Sequence, residues 1–202
     1  RSTHTGASAA SDVYKRQLYY CTKRRNHLKK IATATLAALM TATPALADNS
    51  YDAHVGLWNT LQRAGVTTQI NPRDCKPEFH GYYNRRSVKL VVCQDNSTGG
   101  GRQVEWTAND LDTLRHEAQH VLQDCMVGGL GDLRSSSYFD YETLKEVLGK
   151  SSLTPDQLKN IIESYAKDGA SEETIIMELE AFAVARDVDA SSIAGAIEKY
   201  CM

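Results

Sequence analysis

What this chain lacks narrows it first. It has no apolar run of the roughly 20 residues that a membrane-spanning helix needs. The stretch from Ile31 to about Met40 is too short for an anchor. None of its five cysteines forms a C-x-x-C pair, which argues against a cysteine-bound structural zinc. The glycine cluster at 99–101 has no strand before it in the required register and no lysine after it. It reads as a linker rather than a phosphate cradle. There is no internal repeat and no low-complexity segment. Bases are scarce beyond residue 47. The first 47 residues hold eight of the 23 Lys and Arg but one of the 25 Asp and Glu, leaving the remainder at a net charge of −9. Such an acidic surface argues against nucleic acid or an anionic membrane as partner.

Residues 1–17 begin without methionine and read as a non-native leader, which is set aside when considering the fold. Residues 18–47 have the three parts of a secretory signal peptide. These are the basic Lys23-Arg24-Arg25 and Lys29-Lys30, the short apolar run, and Pro44-Ala45-Leu46-Ala47 as an A-x-A site. The expected mature protein is one domain, 48–202, secreted or periplasmic, with no stable membrane anchor after cleavage. Its four cysteines fit an oxidising compartment and two disulfides. Of three possible connectivities, Cys75–Cys93 with Cys125–Cys201 is favoured: the first closes a short β-rich segment and the second ties the C-terminus to a helix.

The pattern of local signals is α+β. A helix is expected over 51–64, ended by Gly65. A β-branched strand follows at 66–70, then a hairpin from 81–83 and 87–93 with its turn at Asn84-Arg85-Arg86. Everything after Trp106 reads as helices. Thr107 to Asp110 resembles a capping box, Thr154-Pro155 with Gln157 is a strong helix start, and Ser171 caps a helix running through Asp187. A last short helix covers about 192–200.

Within the helix over 110–124, residues 116–120 read His-Glu-Ala-Gln-His. Residues i and i+4 project from nearly the same face of a helix, one turn apart. Two imidazoles so placed can reach one zinc ion at roughly 2.0–2.1 Å each. The glutamate between them then adjoins the activated water without being a ligand, the layout of a metal-assisted hydrolase. On a helical wheel Leu111, Leu114, Ala118, Val121, Leu122 and Cys125 form the core face, while His116 and His120 point away from it, toward a cleft or solvent. Two solvated histidines on a surface helix would show the same letters; export and the scarcity of other histidines, His54 and His80 alone beyond residue 47, favour the metal.

A catalytic zinc takes a third protein ligand. Position 123 is Gln and position 126 is Met, which excludes H-E-x-x-H-x-x-G-x-x-H. The helix from Ser171 offers Glu178 and Glu180. The wheel puts Glu178 in the apolar sector and Glu180 on the polar face, so Glu178 is favoured as an acid whose burial a metal would offset. A salt bridge from Glu178 to Arg115 or Arg186 is the bland alternative.

His116-Glu117-x-x-His120 followed by Glu178-x-x-Ala181 resembles the gluzincin branch of the zincin metallopeptidases, over residues 80–187. The resemblance implies His116, His120 and Glu178 as zinc ligands and Glu117 as general base. It also implies a zincin-like fold: a short β-sheet or hairpin with the active-site helix, then a mainly helical C-terminal part. Residues 89–93 resemble the edge strand along which such enzymes lay an extended substrate. One position departs: many relatives have Asp directly after the alanine, supporting a ligand histidine, where this chain has Phe182. Asp124, one turn beyond His120, is a candidate for that support. The function these features point to is zinc-dependent hydrolysis of a peptide or protein substrate. His80, Tyr82, Tyr165 and Arg186 are candidates to stabilise the oxyanion. The alternatives are a non-catalytic zinc-binding or protein-binding module, which the departure at Phe182 motivates, and a structural domain without metal.

Overall fold

The computed structural model describes residues 50–76, 79–97 and 101–202. The leader and signal-peptide readings for 1–17 and 18–47 lie outside them, as does most of the glycine cluster. The described residues form six α-helices and one three-stranded sheet, an α+β arrangement dominated by helix. None of these helices is long and apolar enough to cross a membrane.

Helix α1 (Tyr51–Arg63) starts where the Ser50 hydroxyl accepts from the Ala53 amide and stops at Gly65, which takes φ 91°. Strand β1 (Thr67–Ile70) follows. The hairpin then forms as its sequence suggests: β2 (Gly81–Asn84), a 3-10 turn over Arg85–Ser87, and β3 (Lys89–Val92). Strand order is β1-β3-β2, with β1 parallel and β2 antiparallel to β3. This corrects the edge-strand expectation for 89–93. β3 is the central strand, hydrogen-bonded on both sides, and Leu90, Val91 and Val92 are fully buried. A strand with three consecutive aliphatic residues, Leu90-Val91-Val92, belongs where both faces are covered. β2 is the edge next to the site.

Helix α2 (Ala108–Cys125) opens with a complete capping box between Thr107 and Asp110. It is followed by α3 (Tyr141–Lys150), α4 (Pro155–Lys167), α5 (Glu172–Asp187) and α6 (Ala190–Cys201). Thr154 and Gln157 close a second capping box, Ser171 caps α5, and Asp140 and Asp189 cap α3 and α6. Residues 126–140 are not helical, although they fall in the stretch expected to be. Gly128, Gly129 and Gly131 have positive φ there, a backbone that a helix cannot accommodate.

α2 is the axis of the molecule. It packs along α5 and α6 and carries β2 and β3 across another face. Leu114, Ala118, Val121 and Leu122 meet Leu57, Leu61, Leu90, Ile193 and Ile197 in one core, each large side chain contributing roughly 1.5–3 kcal/mol by burial. Its polar positions are buried as well: Thr113, Arg115, Glu117, Gln119, Gln123 and Asp124. Cys75 and Cys93 stand at disulfide distance with Cα atoms 5.6 Å apart, and Cys125 and Cys201 with 5.3 Å, both within the range a disulfide spans. The two pairs match the favoured connectivity.

Candidate metal centre

The helical repeat does what the motif requires. His116 and His120 project from α2 on one face, and their Nε2 atoms lie 3.1 Å apart. α5 crosses in front of them and delivers Glu178. Its Oε2 is 3.2 Å from His116 Nε2 and its Oε1 is 3.5 Å from His120 Nε2. One ligand atom from each residue lies within 4.8 Å of the others. Donors at 2.0–2.1 Å around a tetrahedral ion are separated by about 3.3 Å. The two nitrogens, and each nitrogen with its nearer carboxylate oxygen, thus already stand near the spacing of donors around one zinc ion. The donor set also fits: two imidazoles and one carboxylate suit zinc.

Two atoms here are buried without a hydrogen bond: His116 Nδ1 and Glu178 Oε2. Buried polar atoms normally find a partner, and a carboxylate oxygen 3.2 Å from an imidazole nitrogen without a hydrogen bond is the kind of orphan that a cation satisfies. Without a metal the cluster holds a proton instead. Burial opposes charge on His120, but the hydrogen bond to Glu178, and the charges of Glu117 and Glu178, raise it to about 9. Burial likewise works against the Glu178 carboxylate; hydrogen bonds and charge from both histidines prevail and hold it well below the usual carboxylate range. Neither Arg115 nor Arg186 takes the place of the histidines. Arg115 bonds the Ala185 carbonyl, Asp112 and His54, and Arg186 lies 3.7 Å from Asp112.

Glu117 is 7 % exposed. Burial pushes its carboxyl up, the two histidines oppose this, and Glu178 adds to it, with a hydrogen bond to the Tyr83 backbone drawing it down. Gly81 presses against the same side chain. A Cβ there would fall 2.6 Å from Thr113 Cγ2, 2.7 Å from the Val91 carbonyl and 3.4 Å from Glu117 Cγ. The edge strand approaches α2 this closely only because residue 81 has no side chain. His116, Glu117 and Gly81 open on a cleft of about 480 Å3, walled also by His80, Tyr165 and Phe182.

Glu180 is the clearest correction to the wheel. It is fully buried, not on a polar face, and it does not meet the histidines. Its Oε1 accepts from Gln119 Nε2 and Gln123 Nε2 at 2.8 Å and from the Tyr138 amide at 3.0 Å. Its Oε2 accepts from the Phe139 amide at 3.0 Å and from the Ser137 hydroxyl. The wheel assumed one buried side, whereas α5 is covered on two. Glu178 is the half-open one, its side chain 14 % exposed. Asp124 is also corrected: it accepts from the Tyr83 hydroxyl at 2.8 Å and the Gly131 amide at 3.3 Å, not from a histidine. Phe182 packs on the His116 ring at 4.4 Å between centroids.

Of the oxyanion candidates, Tyr165 is the one tied to the cluster. Burial, followed by the charge of Glu178 and a hydrogen bond to it, raises its phenol above the ordinary value. His80 pairs with Asp95 at 3.1 Å, and the Tyr82 hydroxyl donates to Asp74 at 2.6 Å. Gln123, which sequence reasoning used only to exclude a motif, accepts from His120 Nδ1 at 2.8 Å. Its spacing of three from His120 was the available signal.

No curated protein and no solved structure matches the chain. A family model does, over residues 27–202, and the chain therefore belongs to the family described as Domain of unknown function (DUF8637).

Proposed function

We propose that this protein is an exported zinc metallopeptidase of zincin type, with His116, His120 and Glu178 as the metal ligands and Glu117 as the general base. The observation that carries the reading is the convergence of two imidazole nitrogens, 3.1 Å apart, on one carboxylate whose two oxygens lie 3.2 and 3.5 Å from them. When bound, zinc supplies Lewis acidity, polarising a scissile carbonyl and bringing the pKa of water toward about 7. Glu117 takes the proton of the attacking water as its oxygen bonds to the carbonyl carbon, then hands that proton to the leaving amine as the C–N bond breaks. Its burial suits the task, because a carboxyl pushed up by desolvation is a better base near neutral pH. The Tyr165 hydroxyl, on the cleft wall and tied to Glu178, is the donor assigned to the carbonyl oxygen. The substrate backbone would run along β2 at Gly81 rather than along β3. The register and the Cys93 amide bond to the His80 carbonyl turn the Gly81 amide away from β3.

Glu117→Gln tests the mechanism. The variant is expected to retain one zinc and lose peptide cleavage. A zinc-loaded variant that cleaves at the wild-type rate would sink it. A second reading, a zinc-binding module without turnover, is favoured by Phe182, which covers His116 where a supporting acid would stand. Stoichiometric zinc with no cleavage across a broad peptide library distinguishes it.

A further inference from the structure

We propose that Gln123, anchored by Glu180, is the positioning residue of this metal centre, fixing His120 as the tautomer with hydrogen on Nδ1 and a lone pair on Nε2. This rests on the metal reading above and adds to it the group that orients a ligand.

The starting points are groups whose hydrogen-bonding role cannot change. The amides of Tyr138 and Phe139 are backbone donors, and both point at Glu180 at 3.0 Å. With one of these amides on each oxygen and Gln119 also donating to Oε1, the Glu180 oxygen that faces Gln123 is an acceptor. The Met177 carbonyl on the same helix can only accept too. The Gln123 side chain lies between them. Its Nε2 donates 2.8 Å to Glu180 Oε1 and 3.0 Å to the Met177 carbonyl. An amide nitrogen has two protons, and both are engaged. Turning the amide over would set its oxygen against two acceptors. Gln123 Oε1 must therefore face His120, and at 2.8 Å from Nδ1 it can only accept a proton. Nδ1 then carries hydrogen and Nε2 turns to His116 and Glu178, the arrangement a ligand histidine needs.

His116 has no such partner: its Nδ1 is buried and unbonded and its ring rests on Phe182. The support that the resemblance would lead one to seek at position 182 is thus supplied to the other histidine, from the interior side of α2. Gln123 is 1 % exposed and Glu180 is fully buried, so solvent does not compete for these bonds.

The experiment uses the full chain without a histidine tag. Zinc affinity is measured by competition with a chromogenic chelator for wild type, Gln123→Leu and Gln123→Met, with thermal unfolding as a check on the fold. Both variants are expected to bind one zinc roughly 10–100-fold more weakly than wild type. Equal affinity in a folded variant overturns the proposal. A wild type that takes up no zinc overturns the metal reading itself, which separates the two failures. Long-range 1H–15N spectra of zinc-loaded wild type require no variant. They should show His120 bound through Nε2 with an Nδ1 proton slow to exchange with water. Attachment through Nδ1, or an Nδ1 proton that exchanges as freely as an exposed one, overturns the assignment.

Discussion

The cleft in front of α2 and the polar chamber behind it are made from the same two helices, yet they solve burial differently. In the chamber, Glu180 has five hydrogen-bond partners, so a carboxyl group lies in the interior with its hydrogen-bonding demand met. Beside the cleft, Glu178 sits two residues earlier on α5 and faces two histidine nitrogens and the Tyr165 phenol, with one oxygen left without a hydrogen bond. A saturated carboxylate holds a fold; an unsaturated one facing two imidazoles awaits a ligand. Satisfaction of hydrogen bonds, more than depth of burial, tells the two apart.

The largest effect is expected from Glu180→Leu. It removes the acceptor of two backbone amides, of Gln119 and of one Gln123 proton, at an expected cost of about 3–5 kcal/mol. Melting should fall by roughly 10 °C or more. Glu178→Gln, at the matching position beside the cleft, should leave metal-free stability within about 2 kcal/mol of wild type while zinc uptake is lost. Comparable melting losses in the two variants would erase the distinction.

Gly81→Ala attacks the cleft from its floor. The added Cβ has a carbonyl 2.7 Å away and should cost about 1–3 kcal/mol, read from chemical denaturation. A neutral result would mean that β2 does not press on Glu117.

Proton uptake sharpens the cleft's side of the comparison. His120 is raised to about 9 without metal, so its added stability is complete below the unfolded value near 6.5 and is lost as pH rises through about 9. The metal-free protein should therefore melt lower at pH 10 than at pH 6.5 on account of this group. Zinc must displace that proton, so its affinity should rise with pH up to about 9 and then level off. Calorimetry at pH 7 in two buffers of different ionisation enthalpy should report close to one proton released.

The smallest effect is expected from Phe182→Asp. It offers His116 Nδ1 an acceptor, at the loss of a ring contact. Zinc affinity should rise only several-fold, because packing on the ring is given up. A large loss would show that Phe182 itself holds His116 in place.

Local chemistry was legible in the sequence. The caps at Thr107, Thr154 and Ser171, the hairpin turn and the His116–His120 spacing each depend on residues a few positions apart, and each appears where the letters put it. The wheel ranked the two acids the wrong way round in burial, since Glu180 is fully buried and Glu178 is the more open, although Glu178 is the one that faces the histidines. A wheel sees one helix and assigns it one buried side, but the loop at 136–139 closes over the second side of α5. The centrality of β3 was equally out of reach, because strand order is set by which distant strands pair. Gln123 was hidden for a further reason: an amide becomes a positioning group only through Met177 and Glu180, more than fifty residues away along the chain.

The link between Cys125 and Cys201 joins the end of α2 to the end of the chain. It has a consequence for the chain before it folds. Measured through that link, the path from His120 to Glu178 is about half as long as the path along the backbone. Each halving of a loop eases its closure by about 0.6 kcal/mol. An oxidised but unfolded chain therefore keeps Glu178, the proposed third ligand, at a higher local concentration around the histidine pair than a reduced one does. Capture of zinc by the nascent protein should then follow oxidation, which couples the order of maturation to the compartment in which the link can form.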